Sequence, residues 1–218
     1  MKITSPDARP ATPLPVIAEV SRVVTLVVDQ VSGDRVDFPL LVAAATVEAL
    51  KVFGIESRVM YGQAAWIEIL EDQSVIWAGC WGKNIHFWVA TQHGEVVDLN
   101  TSVAYRKRVH SAPDHRAIYS PPMLWSTDVP RFYRYIPEGV AELDLLEDRD
   151  KKLFERVVSE VREKCMPAAR AGLREPAASA FPDEAILCPE RQLLDDSQDS
   201  FKKFDRAIGV GGIPPAPF

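Results

Sequence analysis

The chain has 218 residues, 47% hydrophobic and 26% charged, with a net charge of -6 and a pI near 5.3. This is the composition of an ordinary globular domain, large enough to bury a core without staples. No Lys/Arg-rich stripe invites nucleic acid or an anionic membrane, and no apolar run of about 18 residues could span a bilayer. The N-terminus lacks the apolar stretch of a signal peptide, so a reducing cytoplasm is the expected location. Cys80, Cys165 and Cys188 are odd in number and widely spaced, which predicts neither disulfides nor a zinc site. No metal or cofactor is expected.

Residues 1–13, rich in Pro, Ala and Thr, predict a loose arm. From Pro15 to about Val31, Val16, Ile17, Val20, Val23, Val24 and Val27 recur at helical spacing. Pro15 fits the first turn and Gly33 the stop. A second helix is predicted from about Asp37 to Phe53, apolar almost all round and therefore central in the domain. Pro39 belongs in its first turn, which makes Asp37 the expected N-cap, and Gly54 ends it.

Beyond Gly54 the texture becomes that of strands: 57–61, 64–70, 74–81, 85–91 and 95–99. Glu71-Asp72, Gly82-Lys83-Asn84 and Gln92-His93-Gly94 are their turns. Residues 101–140, rich in proline and aromatics, predict a long ordered loop packed on the sheet. A late helix spans about Leu145 to Met166, with Leu153, Phe154, Val157, Val158, Val161 and Cys165 as its apolar stripe. Its acidic lead-in, Glu147-Asp148-Arg149-Asp150, suits a helix N-terminus. The expected organisation is an arm (1–13), a core (14–140), and a C-terminal helix with an irregular tail packed on the core (141–218).

Four stretches fall in a telling order: GDRVDFPLL, FGIESRVMYG, HFWVATQHGEVV and DLNT. Together they resemble the transglutaminase-like branch of the papain-like cysteine-protease superfamily. Its usual pattern is Gly-x-Cys-x-Asp-Phe-Ala before a helix, then a strand with His, then a strand end with Asp. The resemblance covers roughly residues 30–102. It implies an α+β fold with a buried central helix packed on an antiparallel sheet, a Cys-His-Asp site, and a peptide or protein as substrate or partner. In such a site a helix end and an imidazolium favour the thiolate, the His moves the proton, and the Asp fixes the His tautomer.

Two of the three roles map onto His86 and Asp98. If Gln92-His93-Gly94 is a three-residue loop, Thr91 pairs with Glu95 and Asp98 lies opposite Trp88. Asp98 then reaches His86 diagonally on one face. A two-residue loop would put it on the other face. The third role falls on Arg35, which cannot attack a carbonyl because its guanidinium stays protonated. One reading is therefore a site without its nucleophile, held by an Arg35–Asp98 ion pair, that binds a peptide in the residual cleft.

A second reading restores the chemistry. If Gly82-Lys83-Asn84 is a hairpin loop, Cys80 faces His86 across neighbouring strands, with Cβ atoms roughly 5 Å apart. Cys80, His86 and Asp98 would then make a cysteine hydrolase or acyltransferase; otherwise Cys80 is a small buried hydrophobe. A third reading is a structural protein whose loop and tail form a homo-oligomer interface. Trp66, Trp81 and Trp88 are expected either in the core or lining a substrate groove beside His86. His93 is expected in a solvated turn, and His110, Asp114 and His115 in a polar loop.

Overall fold

The computed structural model describes residues 11–106, 117–119, 121–142, 148–172, 186–187, 206, 208–209 and 212–218. Helix α1 (Leu14–Ser32) carries a run of buried valines on the inward stripe. It stops at Gly33, where φ of +93° suits only glycine and the N–H caps the carbonyl of Asp29. A 3-10 turn (Arg35–Asp37) follows, opened by the Asp34 carboxylate accepting from the Val36 N–H.

Helix α2 (Pro39–Val52) begins with its proline in the first turn, as expected. The N-cap is Phe38 rather than Asp37, and no side chain caps it. Asp37 is taken up in the preceding 3-10 turn, and Phe38, as the residue before Pro39, is held out of the helical region and becomes the boundary. Helix α3 spans Asp148–Ala171 and continues through Pro167, beyond the expected end at Met166. Val157, Val161 and Cys165 are fully buried along its stripe. The three helices pack on one another and on the sheet.

Strand β1 (Ser57–Leu70) is the spine of the sheet. Its first half pairs with β3 (His86–Thr91) and its second half with β2 (Val75–Cys80). Both lie on one edge, because β7 (Tyr133–Val140) pairs with residues 60–66 on the other. β2 and β3 therefore run end to end along β1, with residues 81–85 as an excursion between them. This corrects the expected hairpin at Gly82-Lys83-Asn84: the turn exists, with the Asn84 N–H on the Trp81 carbonyl, but the strands flanking it do not face each other. A long, continuous apolar β1 outcompetes a short local hairpin by pairing with both segments.

The Gln92-His93-Gly94 loop forms as expected. Thr91 donates to the Glu95 carbonyl at 3.1 Å, Gly94 takes φ of +77°, and Val89 pairs with Val97 of β4 (Val96–Asp98). Residues 101–140 are not one long loop. They hold a 3-10 turn (Thr101–Arg106) and strands β5 (Ala117–Tyr119), β6 (Met123–Ser126) and β7, which extend the sheet on both sides. Pro121 and Pro122 lie just before β6 and Pro137 lies at the bulge in β7, where a missing N–H is tolerated. The sheet is not wholly antiparallel either, since β8 (Ile186–Leu187), from the expected tail, pairs parallel to β6.

The strand alternation divides the core in two. Val59, Val89, Val97 and Trp125 form one cross-sheet row and face the helices. Trp88, Leu124, Trp66 and Ala64 face the opposite way into a second cluster. The end of the expected arm is fixed rather than loose: Thr12 is buried and gives its N–H and hydroxyl to the fully buried carboxylate of Glu95, at 2.9 and 2.6 Å. Residues 1–10, His110, Asp114, His115, Glu147, Cys188 and much of the tail lie outside the described residues.

Candidate functional site

His86 opens β3 and Asp98 closes β4. The three-residue loop sets Asp98 opposite Trp88, and the diagonal brings His86 Nε2 to 2.7 Å from Asp98 Oδ2. The expected register, face and hydrogen bond are all present. Both side chains are almost fully buried. With Nε2 committed to Asp98, Nδ1 is the nitrogen that remains for another partner.

Cys80 lies on the same side of the sheet. It ends β2 opposite Ala64, while His86 pairs with Gly62. Gly62 and Ala64 share a face of β1, so Cys80 and His86 project to the same side although no hairpin joins them. The half-buried Cys80 thiol is near enough to the His86 ring to contribute to its raised pKa. Burial is the largest influence on His86 and alone would lower its pKa. The Asp98 carboxylate and its hydrogen bond, with a smaller contribution from Cys80, outweigh it and raise the value to about 9. The imidazole is therefore held charged at neutral pH.

Tyr135 completes the site. It lies on β7 opposite Ala64, and its hydroxyl donates to Asp98 Oδ2 at 2.9 Å. Asp98 Oδ1 accepts the Asn100 N–H at 3.0 Å. Burial, and the nearby Asp98 charge, push the Tyr135 hydroxyl well above its ordinary pKa, so it stays a donor. Neighbouring Tyr133 is shifted upward for the same reasons and donates to the Pro122 carbonyl. No sequence motif marks Tyr135, but Tyr133 and Tyr135 are spaced by two in RFYRYIPEGV, which is the alternation of a strand.

Gly62 is the joint between these pieces. It sits between His86 and Pro137, with φ of +157°, and a Cβ there would stand 2.2 Å from the Ile136 carbonyl oxygen. Only glycine lets β7 approach closely enough to bring Tyr135 to Asp98.

Arg35 does not join the site. It is buried, but its guanidinium pairs with Asp29 of α1, and its N–H donates to the same carboxylate at 2.9 Å. The expected Arg35–Asp98 ion pair is thus corrected, since Asp98 is occupied by His86, Tyr135 and the Asn100 N–H. The physical reason is the sheet's alternation. α2 packs on the face bearing Val89, while His86 and Asp98 lie on the other.

The tryptophans divide as well. Trp66 is buried, its ring 5.2 Å from that of His86, and its indole N–H donates to Glu68 at 3.0 Å. Trp88 is buried against Tyr135, at 5.1 Å between rings. Both wall the site rather than line an open groove, and only Trp81 stays partly exposed. Glu68, which no sequence motif marks, is also shifted: burial pushes its carboxyl up to about 7, against the lowering effect of the Trp66 hydrogen bond. Its Oε2 has no hydrogen-bond partner. Cys165 is different from Cys80, as burial drives its thiol up to about 12. Among the described residues no group of three or more His, Cys, Asp or Glu side chains could hold a metal ion. No described helix is long and apolar enough to cross a membrane.

No family model matches the chain, and no curated protein matches it. A crystal structure described as that of a genomics target is similar at a TM-score of 0.42 and 13% identity, over 77% of this chain and 84% of that one.

Proposed function

We propose that this protein is a cysteine-dependent hydrolase or acyltransferase, with Cys80 as nucleophile, His86 as acid and base, and Asp98 and Tyr135 as positioning residues. The observation that carries the reading is the buried His86–Asp98 pair with the Cys80 thiol on the same face. A charged imidazole beside a thiol is the arrangement that stabilises a thiolate. In the reaction, the Cys80 thiolate adds to a carbonyl carbon, and His86 gives its proton to the departing amine or alcohol. The carbon–leaving-group bond breaks and a thioester remains. His86, now neutral, takes a proton from water or an acceptor nucleophile as that group displaces Cys80. Asp98 holds Nε2, which leaves Nδ1 as the nitrogen for proton transfer with the thiol.

The transglutaminase-like order of motifs supports this chemistry, with one departure. The nucleophile would sit on a strand end at Cys80 instead of at the start of α2. The alternative, a cleft without a nucleophile held by Arg35, loses its geometric basis because Arg35 pairs with Asp29.

The test is alkylation of the full chain by iodoacetamide at pH 7, mapped by mass spectrometry. Cys80 should react at least about tenfold faster than free cysteine, and His86→Ala should abolish the excess. Cys80 labelling no faster than the free amino acid, or unaffected by His86→Ala, would refute the reading.

A further inference from the structure

Residues 212–218, Gly-Ile-Pro-Pro-Ala-Pro-Phe, form neither helix nor strand, yet they are seated on the sheet. The Trp77 indole N–H donates to the Pro214 carbonyl at 2.8 Å. The Phe218 ring lies 6.3 Å from that of Trp81. Ile213, Ala216 and Phe218 pack against the second core cluster, while Pro215 and Pro217 face outward. Trp77 is left only 8% exposed and carries the Arg134 guanidinium 5.6 Å from its ring centroid.

Each of these contacts fits an extended proline-rich ligand. Three prolines in six residues fix φ and bias the segment toward the left-handed extended helix, so little entropy is lost on docking. Its carbonyls, unused by any ladder, are strong acceptors, and an indole N–H beside a flat aromatic face is a suitable donor. Among the described strands β2 pairs only with β1, so Trp77 lies on an edge strand and Trp81 follows directly after it, where a peptide can approach.

We propose that the Trp77–Trp81 surface is a recognition site for extended proline-rich peptides, and that residues 212–218 are its intramolecular occupant. The site adjoins Cys80 in sequence, but its binding does not depend on Cys80 being a nucleophile. An external peptide must compete with a tethered segment, whose effective concentration is of millimolar order. The tethered copy is therefore weakened in the test.

In the full-length Pro214→Gly/Pro215→Gly variant, the Trp77 indole N–H resonance is followed by 15N NMR and assigned by its loss in Trp77→Phe. The resonance should move from its wild-type position. Titration with the synthetic peptide GIPPAPF should move it back saturably, and GIAAAAF should bind at least about tenfold more weakly. A resonance unmoved by the glycine substitutions, or equal binding of the two peptides, would overturn the proposal. So would a wild-type resonance that shifts with protein concentration, since the segment would then be seated between copies. Thermal unfolding of each variant separates these outcomes from failure to fold.

Discussion

Replacing Asp98 by Asn tests the electrostatics of the site directly. In the native protein His86 is raised from 6.5 to about 9, because Asp98 overcomes the desolvation that alone would lower it. Asparagine keeps the shape and removes the charge, leaving burial dominant, so His86 should titrate below 6.5. The fall is at least about 2.5 pH units, or about 3 kcal/mol at 1.36 kcal/mol per unit. The sign of the pH dependence reverses with it. In the native protein the folded state holds a proton that the unfolded state has lost between pH 6.5 and about 9. The His86 contribution is therefore complete below 6.5 and disappears as pH rises through about 9. In Asp98→Asn the unfolded state binds the proton first, and stability is lost as pH falls below 6.5. Two-dimensional NMR of the imidazoles gives the pKa, and denaturant unfolding from pH 6 to 9 gives the slope, read as the difference between native and variant so that other titrating groups cancel. A His86 pKa that stays above about 8 in the variant would refute the assignment of the shift to Asp98.

Tyr135→Phe should cost about 1–3 kcal/mol in urea unfolding, because Asp98 loses a buried donor, while His86 stays charged by NMR. Gly62→Ala should destabilise by about 2 kcal/mol or more, since the new methyl meets the Ile136 carbonyl and β7 must shift, and loss of the Tyr135–Asp98 contact should show as a changed Tyr135 environment by NMR. Glu68, raised to about 7 by burial, favours the folded state fully below its ordinary 4.5 and loses that contribution as pH rises through about 7. Glu68→Gln should remove this part of the stability slope between pH 4.5 and 7, measured by denaturant unfolding. Arg35→Met should lower the melting temperature by breaking the pair with Asp29, yet leave the His86 titration where it is, because Asp29 belongs to α1 whereas His86 lies on the sheet face away from the helices.

Local and periodic features were legible in the residues alone. Prolines and glycines punctuated α1 and α2, the valine stripe placed α1, and the apolar stripe placed α3. The His86–Asp98 pair was legible too, because a three-residue loop with glycine in its left-handed position fixes register, and register fixes the face. Features that depend on distant partners emerged only with the folded chain. β7 and its Tyr135 gain strand character by pairing with β1, some 70 residues away, which no local signal in a proline-rich stretch reveals. Arg35 matched a motif position, but the face on which α2 packs sent it to Asp29. Cys80 and His86 came together for a reason opposite to the one the turn suggested: β1 is long enough to hold both as consecutive neighbours on one edge. Periodicity tells which way a side chain points, but which strand lies beside it is set by the competition among all strands for the same edge.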